Sequence, residues 1–166
     1  MFKQAIQPPS LTRVQQEALK DIFVCLTADE GTFWVLDDEQ EALVPVWNSG
    51  PNAANFVQKH RQRLSNGLIS LVCATEQPLC ENAVYRNTQQ DPTLDRTLGV
   101  LTCAMIAVPL RLYGETVGVV SCVKLKNTLE APDPAPFSAA DLAWATGVVE
   151  ELQWELEAED EAMDQS

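Results

Sequence analysis

Near its start the chain repeats apolar residues at three- and four-residue steps: Leu11, Val14, Ala18, Ile22 and Cys25, with Leu19 and Leu26 beside them. This spacing predicts an amphipathic helix of about 15 residues, capped by Ser10 after the Pro8-Pro9 break. The period then falls to two. Residues 32–37 and 42–47 are dense in β-branched and aromatic side chains around a polar turn, Asp37-Asp38-Glu39-Gln40, which predicts a hairpin. Pro45 has no N–H for a ladder, so its strand belongs at a sheet edge or a bulge. Phe56, Val57, Lys59, His60, Arg61 and Arg63 predict a short helix ending before Asn66-Gly67, and Leu68 to Ala74 predict another, stopped by Gln77-Pro78. A short strand over Leu79 to Asn82 follows, then a polar passage, Tyr85 to Arg96, read as a loop with one helical turn.

Thr102 to Leu125 carries the strongest local pattern: an apolar strand, the turn Tyr113-Gly114 and a second, valine-rich strand, a long hairpin expected in the sheet centre. A two-residue turn sets Met105 opposite Cys122 and Val108 opposite Val119. Period two then gives one face to Ala104, Ile106, Val108, Leu110, Val117, Val119 and Val123, suited to carrying helices. The other takes Cys103, Met105, Ala107, Gly118, Val120 and Cys122, where a cavity fits more easily. A Pro-rich stretch, 131–136, ends the hairpin, and Ser138 caps a last helix whose Leu142, Ala145, Val149, Leu152 and Leu156 alternate by three and four. Its first turns are expected on the sheet and its last turns at a partner, fraying beyond Glu155 in isolation.

The 166 residues fit one domain, expected to bury roughly 68–70% of the chain's surface. The division is a tail over 1–10, a domain over 11–155, and an acidic helix extension or disordered tail over 156–166. With 46% hydrophobic and 21% charged residues, collagen-like and wholly disordered classes drop out. The start lacks the pattern of a secretory signal, so a cytoplasmic location and reduced thiols are expected. Of the net charge of −13, the stretch from Glu150 onward carries −8 (eight acids, no Lys or Arg) and the rest −5. That repulsive field argues against nucleic acid and anionic membranes as partners. Cys25, Cys73, Cys80, Cys103 and Cys122 form no C-x-x-C pair and have one histidine, His60, to assist them, so no metal site is expected and the thiols read as core residues. Lys59, Arg61 and Arg63 form a basic island, either ordinary surface charge or a contact for an anion; His60 within it reads as part of a solvated helix end.

Gly67-Leu68-Ile69, Thr75-x-x-Pro78-Leu79, Asp91-Pro92, Gly99, Thr102, Val108-Pro109-Leu110, Gly114-x-x-Val117-Gly118-Val119 and Phe137-x-x-x-Asp141 occur in an order and spacing that resembles the GAF family of small-molecule sensor domains, over most of residues 11–155. The resemblance implies an α+β, GAF-like (PAS/profilin-like) fold: a central antiparallel six-stranded sheet, terminal helices on one face, short helices and loops on the other. It implies a ligand pocket between the sheet and the irregular middle segment, and a dimer made by the terminal helices. Members that bind cyclic nucleotides are similar to an Asn-Lys, then Phe-x-x-x-Asp-Glu pattern. Here Phe137 and Asp141 match, but Lys124, Leu125 and Leu142 depart from it. Free methionine-R-sulfoxide reductases of the family place cysteines where this chain has Leu68-Ile69 and Leu98, and no Cys-His pair is present for tetrapyrrole attachment.

Polar and aromatic residues beyond the needs of a core mark the expected pocket: Trp34, Trp47, Asn82, Tyr85, Arg96, Thr97 and Thr102, with Cys103 and Met105 as floor. Arg96 would favour a carboxylate, phosphate or nitrate. The dimer helices are expected to meet through Leu11, Val14, Ala18, Val149, Leu152 and Leu156. The expected function is a non-catalytic sensory or regulatory module without a cofactor, binding an unknown small molecule, signalling as a homodimer and acting on a signalling protein in trans. The alternatives are a protein-interaction scaffold with a filled pocket and a thiol reductase.

Overall fold

A computed structural model of the protein describes residues 8–164. Helix α1 spans Arg13–Cys25, strands β1 and β2 span Glu30–Leu36 and Ala42–Asn48, and the four-residue helix α2 spans Ala53–Phe56. Strand β3 is Gln62–Arg63, helix α3 Leu68–Thr75, strand β4 Leu79–Glu81 and helix α4 Thr93–Leu98. The long strands β5, Leu101–Leu112, and β6, Glu115–Lys126, lead to helix α5, Ala139–Asp164. Among the described residues six strands form one antiparallel sheet in the order β3-β2-β1-β6-β5-β4. Helices α1 and α5 cover one face, and α3 with the irregular segment lies on the other. The expected α+β architecture is therefore present. No helix among the described residues is long and apolar enough to cross a membrane.

Local chemistry explains the boundaries. Thr12, not Ser10, caps α1: its Oγ1 accepts from Gln15 N–H at 3.2 Å while Gln15 Oε1 accepts from Thr12 N–H at 2.9 Å. Ser10 has Arg13 three residues on, which cannot return such a bond. Ser138 and Asp141 make the same reciprocal pair at the start of α5 (2.8 and 3.0 Å). Tyr113 and Gly114, both at positive φ, form the hairpin turn that pairs Leu112 with Glu115.

Four expectations need correction. The helix expected over 56–63 is the end of α2 followed by a turn: Gln58 is left-handed, and Gln62–Arg63 pairs with Ala42 and Leu43 as an edge strand. Val117 packs on the helix face as expected, but beyond it the faces of β6 are exchanged. A bulge between Leu110 and Arg111 shifts the register by one, so Val108 faces Val120 and Ile106 faces Cys122, and Val119 and Val123 turn away from the helices. Helix α1 buries Gln15, Leu19 and Phe23, while Val14, Ala18 and Cys25 are exposed. Polar Gln15 disguised the buried stripe; its amide reaches Glu155 and Glu159 of α5 at 3.3 and 3.0 Å. Finally, Val149, Leu152 and Leu156, expected at the dimer seam, are buried in the chain's own core against the sheet. Pro45 does sit at a bulge, where pairing steps from Phe33–Trp47 to Trp34–Pro45.

Candidate functional site

On strand β1 the side chains alternate: Phe33 and Val35 join the core under α1 and α5, which turns Glu30, Thr32 and Trp34 toward α3 and the irregular segment. Trp34 fills the middle of that second face. It packs with Leu43, Ile69, Val72, Ala107 and Val119, its Nε1 donates to Ser121 Oγ at 3.0 Å, and the edge of His60 lies against it. The remaining space is therefore displaced toward the end of the sheet where β1 begins.

A cavity of about 80 Å³ lies there, floored by a row across three strands, Glu30, Val123 and Met105, and roofed by α3, α4 and residues 90–100. Thr32, Gln62, Gly67, Asp91, Asp95 and Thr102 add its polar lining. Gly67 is required at φ +91°, a conformation L side chains avoid, and a Cβ there would also press on the Gln62 amide at 3.0 Å. An open groove of about 450 Å³ between residues 64–74 and 88–92 adjoins the cavity, sharing Gly67, Gln90 and Asp91 with it.

The electrostatics of the cavity are one-sided. Among the described residues no Lys, Arg or His lines it, while Glu30, Asp91 and Asp95 do. Asp95 is held by Thr102 through its N–H (2.8 Å) and hydroxyl (2.9 Å) and by the Gln90 amide at 3.1 Å. The Thr93 hydroxyl, with the Gln62 amide and the Thr93 N–H, holds the Asp91 carboxyl below the usual range. Burial pushes Glu30 above its ordinary value, and the charges of Asp29 and Asp95 push it the same way.

The structure brings together Thr102 and Met105 of the expected pocket residues and disperses the rest. Trp47 faces the helices and stacks on Phe23 with ring centroids 6.2 Å apart. Asn82 grips the backbone of Phe137, donating to its carbonyl at 3.0 Å and accepting from its N–H at 2.9 Å. Tyr85 joins a knot in which buried Lys126 donates to its hydroxyl (3.1 Å), to Asp133 (2.7 Å) and to the carbonyls of Leu129 and Ala131. Arg96 and Thr97 are exposed on α4 and line no part of the cavity. Cys103 is buried at the second irregularity of β5, its thiol directed to the Leu101 carbonyl. His60 is half-buried, with Nε2 unpartnered, which departs from a solvated helix end. In the basic island Arg61 pairs with Asp37 and Lys59 bonds the Ala54 carbonyl.

Glu30, Asp91, Asp95 and Gln62 escaped sequence reasoning. The available signal was Glu30 itself, an acid two residues before Thr32 and four before Trp34, on the inward phase of a strand. The cysteines lie elsewhere: among the described residues none lines the cavity, burial pushes Cys73, Cys80 and Cys103 upward, and it raises Cys122 to about 12.

The family model described as GAF domain matches residues 9–153. Comparison with curated proteins gives no match. Among solved structures, the second GAF domain of DevS from Mycobacterium smegmatis superposes with a TM-score of 0.69 at 19% identity, covering 88% of this chain and 92% of that one. The GAF domain of a phosphoenolpyruvate-protein phosphotransferase from Coxiella burnetii gives 0.67 at 22% identity, covering 91% and 86%. A type II free methionine-R-sulfoxide reductase from Thermoplasma acidophilum gives 0.63 at 21% identity, covering 85% and 89%.

Proposed function

Because the chain belongs to the GAF domain family, we propose that it is a non-catalytic sensory module that takes a small molecule into the cavity beside Glu30 and reports it through α1 and α5 paired with a second copy. The observation that carries this reading is the cavity itself, a space of mixed polar and apolar lining between the sheet and residues 62–102, on the face opposite the terminal helices. Protein interiors are otherwise close-packed, and a void that holds carboxylates against apolar walls without a role is unfavourable. The space is small beside the roughly 300–1,000 Å³ of drug-sized sites. Small metabolites fit it as it stands; a nucleotide or tetrapyrrole does not.

A mechanical link supports the signalling part. Residues 88–92, which help to wall the groove, continue from the segment whose Asn82 grips Phe137, the residue just before the Ser138 cap of α5. Lys124 also lies over the Phe137 ring, 4.6 Å from its centroid. A ligand that binds two arrangements of this wall with different affinity would shift how α5 is presented. The dimer surface is the outward side of the helices: Val14 and Ala18 on α1, and Trp144, Gly147, Trp154 and Ala158 on α5 at heptad-like steps.

The reductase alternative is disfavoured by chemistry, since a catalytic thiolate needs a lowered pKa and access, and here burial raises the thiols named above. A thermal-shift screen of small amines, amino acids, carboxylates and nucleotides against the wild type and Leu94→Trp, which fills the cavity, tests the sensor reading. At least one compound is expected to raise the wild-type melting temperature by several degrees and to leave the filled variant unmoved. A flat screen together with a more stable Leu94→Trp protein would make the space a packing void and the protein a scaffold.

A further inference from the structure

We propose that the cavity takes a small organic cation, a protonated amine on a short apolar stem, with the Glu30 carboxylate as its counter-charge. This rests on the cavity being a ligand site. Glu30 is 8% exposed, lies on the inward phase of β1 and lines the space, and no described residue hydrogen-bonds or ion-pairs with its carboxylate, whose oxygens are not among the fully buried unpartnered atoms. Buried carboxylates are ordinarily paired. The charged groups around it, Asp29, Asp91 and Asp95, are acidic and deepen the negative potential. They are also occupied: Asp29 accepts from Leu125 N–H at 2.6 Å, Asp95 is held by Thr102 and Gln90, and Asp91 by Thr93 and Gln62.

Room for the carboxylate is built into the fold. A Cβ on residue 50 would stand 1.8 Å from Glu30 Oε2, the flexible end of the side chain, so the carboxylate rests against Gly50. The opposite wall, Leu68, Ile69, Leu94 and Val100, is apolar and suits a short hydrocarbon stem. A metal ion fits poorly, because no group of three or more His, Cys, Asp or Glu among the described residues is arranged to hold one. The proposal reverses the anion preference that Arg96 suggested, since Arg96 lies outside the cavity.

The test is calorimetric titration of the full chain with n-butylammonium, n-butanol and n-butyrate, three probes of similar size and different charge. The ammonium is expected to bind at least about tenfold more tightly than either other probe, the weight of one charge-assisted hydrogen bond. Glu30→Gln is expected to lose that preference while keeping the weak affinity for butanol. Its ligand-free melting temperature at neutral pH should equal or exceed the wild type's, which shows that it folds. Leu94→Trp should bind none of the three. If butanol or butyrate binds the wild type as tightly as the ammonium, or Glu30→Gln keeps the preference, the cation assignment is overturned while the ligand site stands. If no probe binds, the cation assignment falls, and a flat result in the wider screen would then bring down the ligand site as well.

Discussion

Phe33→Ala is expected to destabilise the protein by about 3–5 kcal/mol, the range for deleting a buried aromatic ring from a core. Phe33 is fully buried in β1, one of the two central strands, between Trp47 of β2 and Val120 of β6. It lies beneath the terminal helices, in the same cluster as Leu19, Phe23, Ile106 and Leu152. Because β1 is hydrogen-bonded on both sides, the backbone has little freedom to collapse into the space left behind. Urea unfolding followed by circular dichroism measures the loss. A decrease below about 1 kcal/mol would mean that the two-layer core is not organised around β1.

Trp154→Glu is expected to weaken self-association by about a hundredfold or more without unfolding the chain, in keeping with tryptophan's role as an interface anchor. Trp154 is 67% exposed and Trp144 45%, large apolar surfaces on the side of α5 that the core leaves uncovered. Their neighbours Glu150, Glu151 and Glu155 are acidic, so a further carboxylate there adds like-charge repulsion as well as removing apolar area. Sedimentation equilibrium of wild type and variant across a concentration series reads the effect. Leu156→Ala serves as the contrast. Leu156 is buried in the chain's own core, so its truncation should lower stability first and association only through that loss. Equal association by wild type and Trp154→Glu would remove α5 from the interface.

The long hairpin was legible because an apolar strand is followed by a valine-rich one and the turn between them has two positive-φ positions, Tyr113-Gly114. The start of α5 was equally plain, since Ser138 and Asp141 have the three-residue spacing that closes a capping box. Two faces were misread for one reason: a period says how side chains alternate, not where the phase begins. One bulged residue near Arg111 exchanged the faces of β6, and a buried glutamine moved the inward stripe of α1 by one position. The candidate site was harder. Its members come from β1, β3, β5, β6, α3 and α4, and their meeting depends on the path of residues 87–100, which lack a strong periodic signal. Asn82 and Tyr85 did mark something: they anchor the loop that leads into α5.

The most direct measurement is an NMR titration of isotope-labelled protein with n-butylammonium. Shifts are expected to concentrate on the amides of Glu30, Thr32, Asp95 and Thr102, with smaller changes reaching Asn82 and the first turn of α5. Shifts spread evenly over the acidic outer face of α5, or absent from the cavity at saturating amine, would contradict amine binding in the cavity.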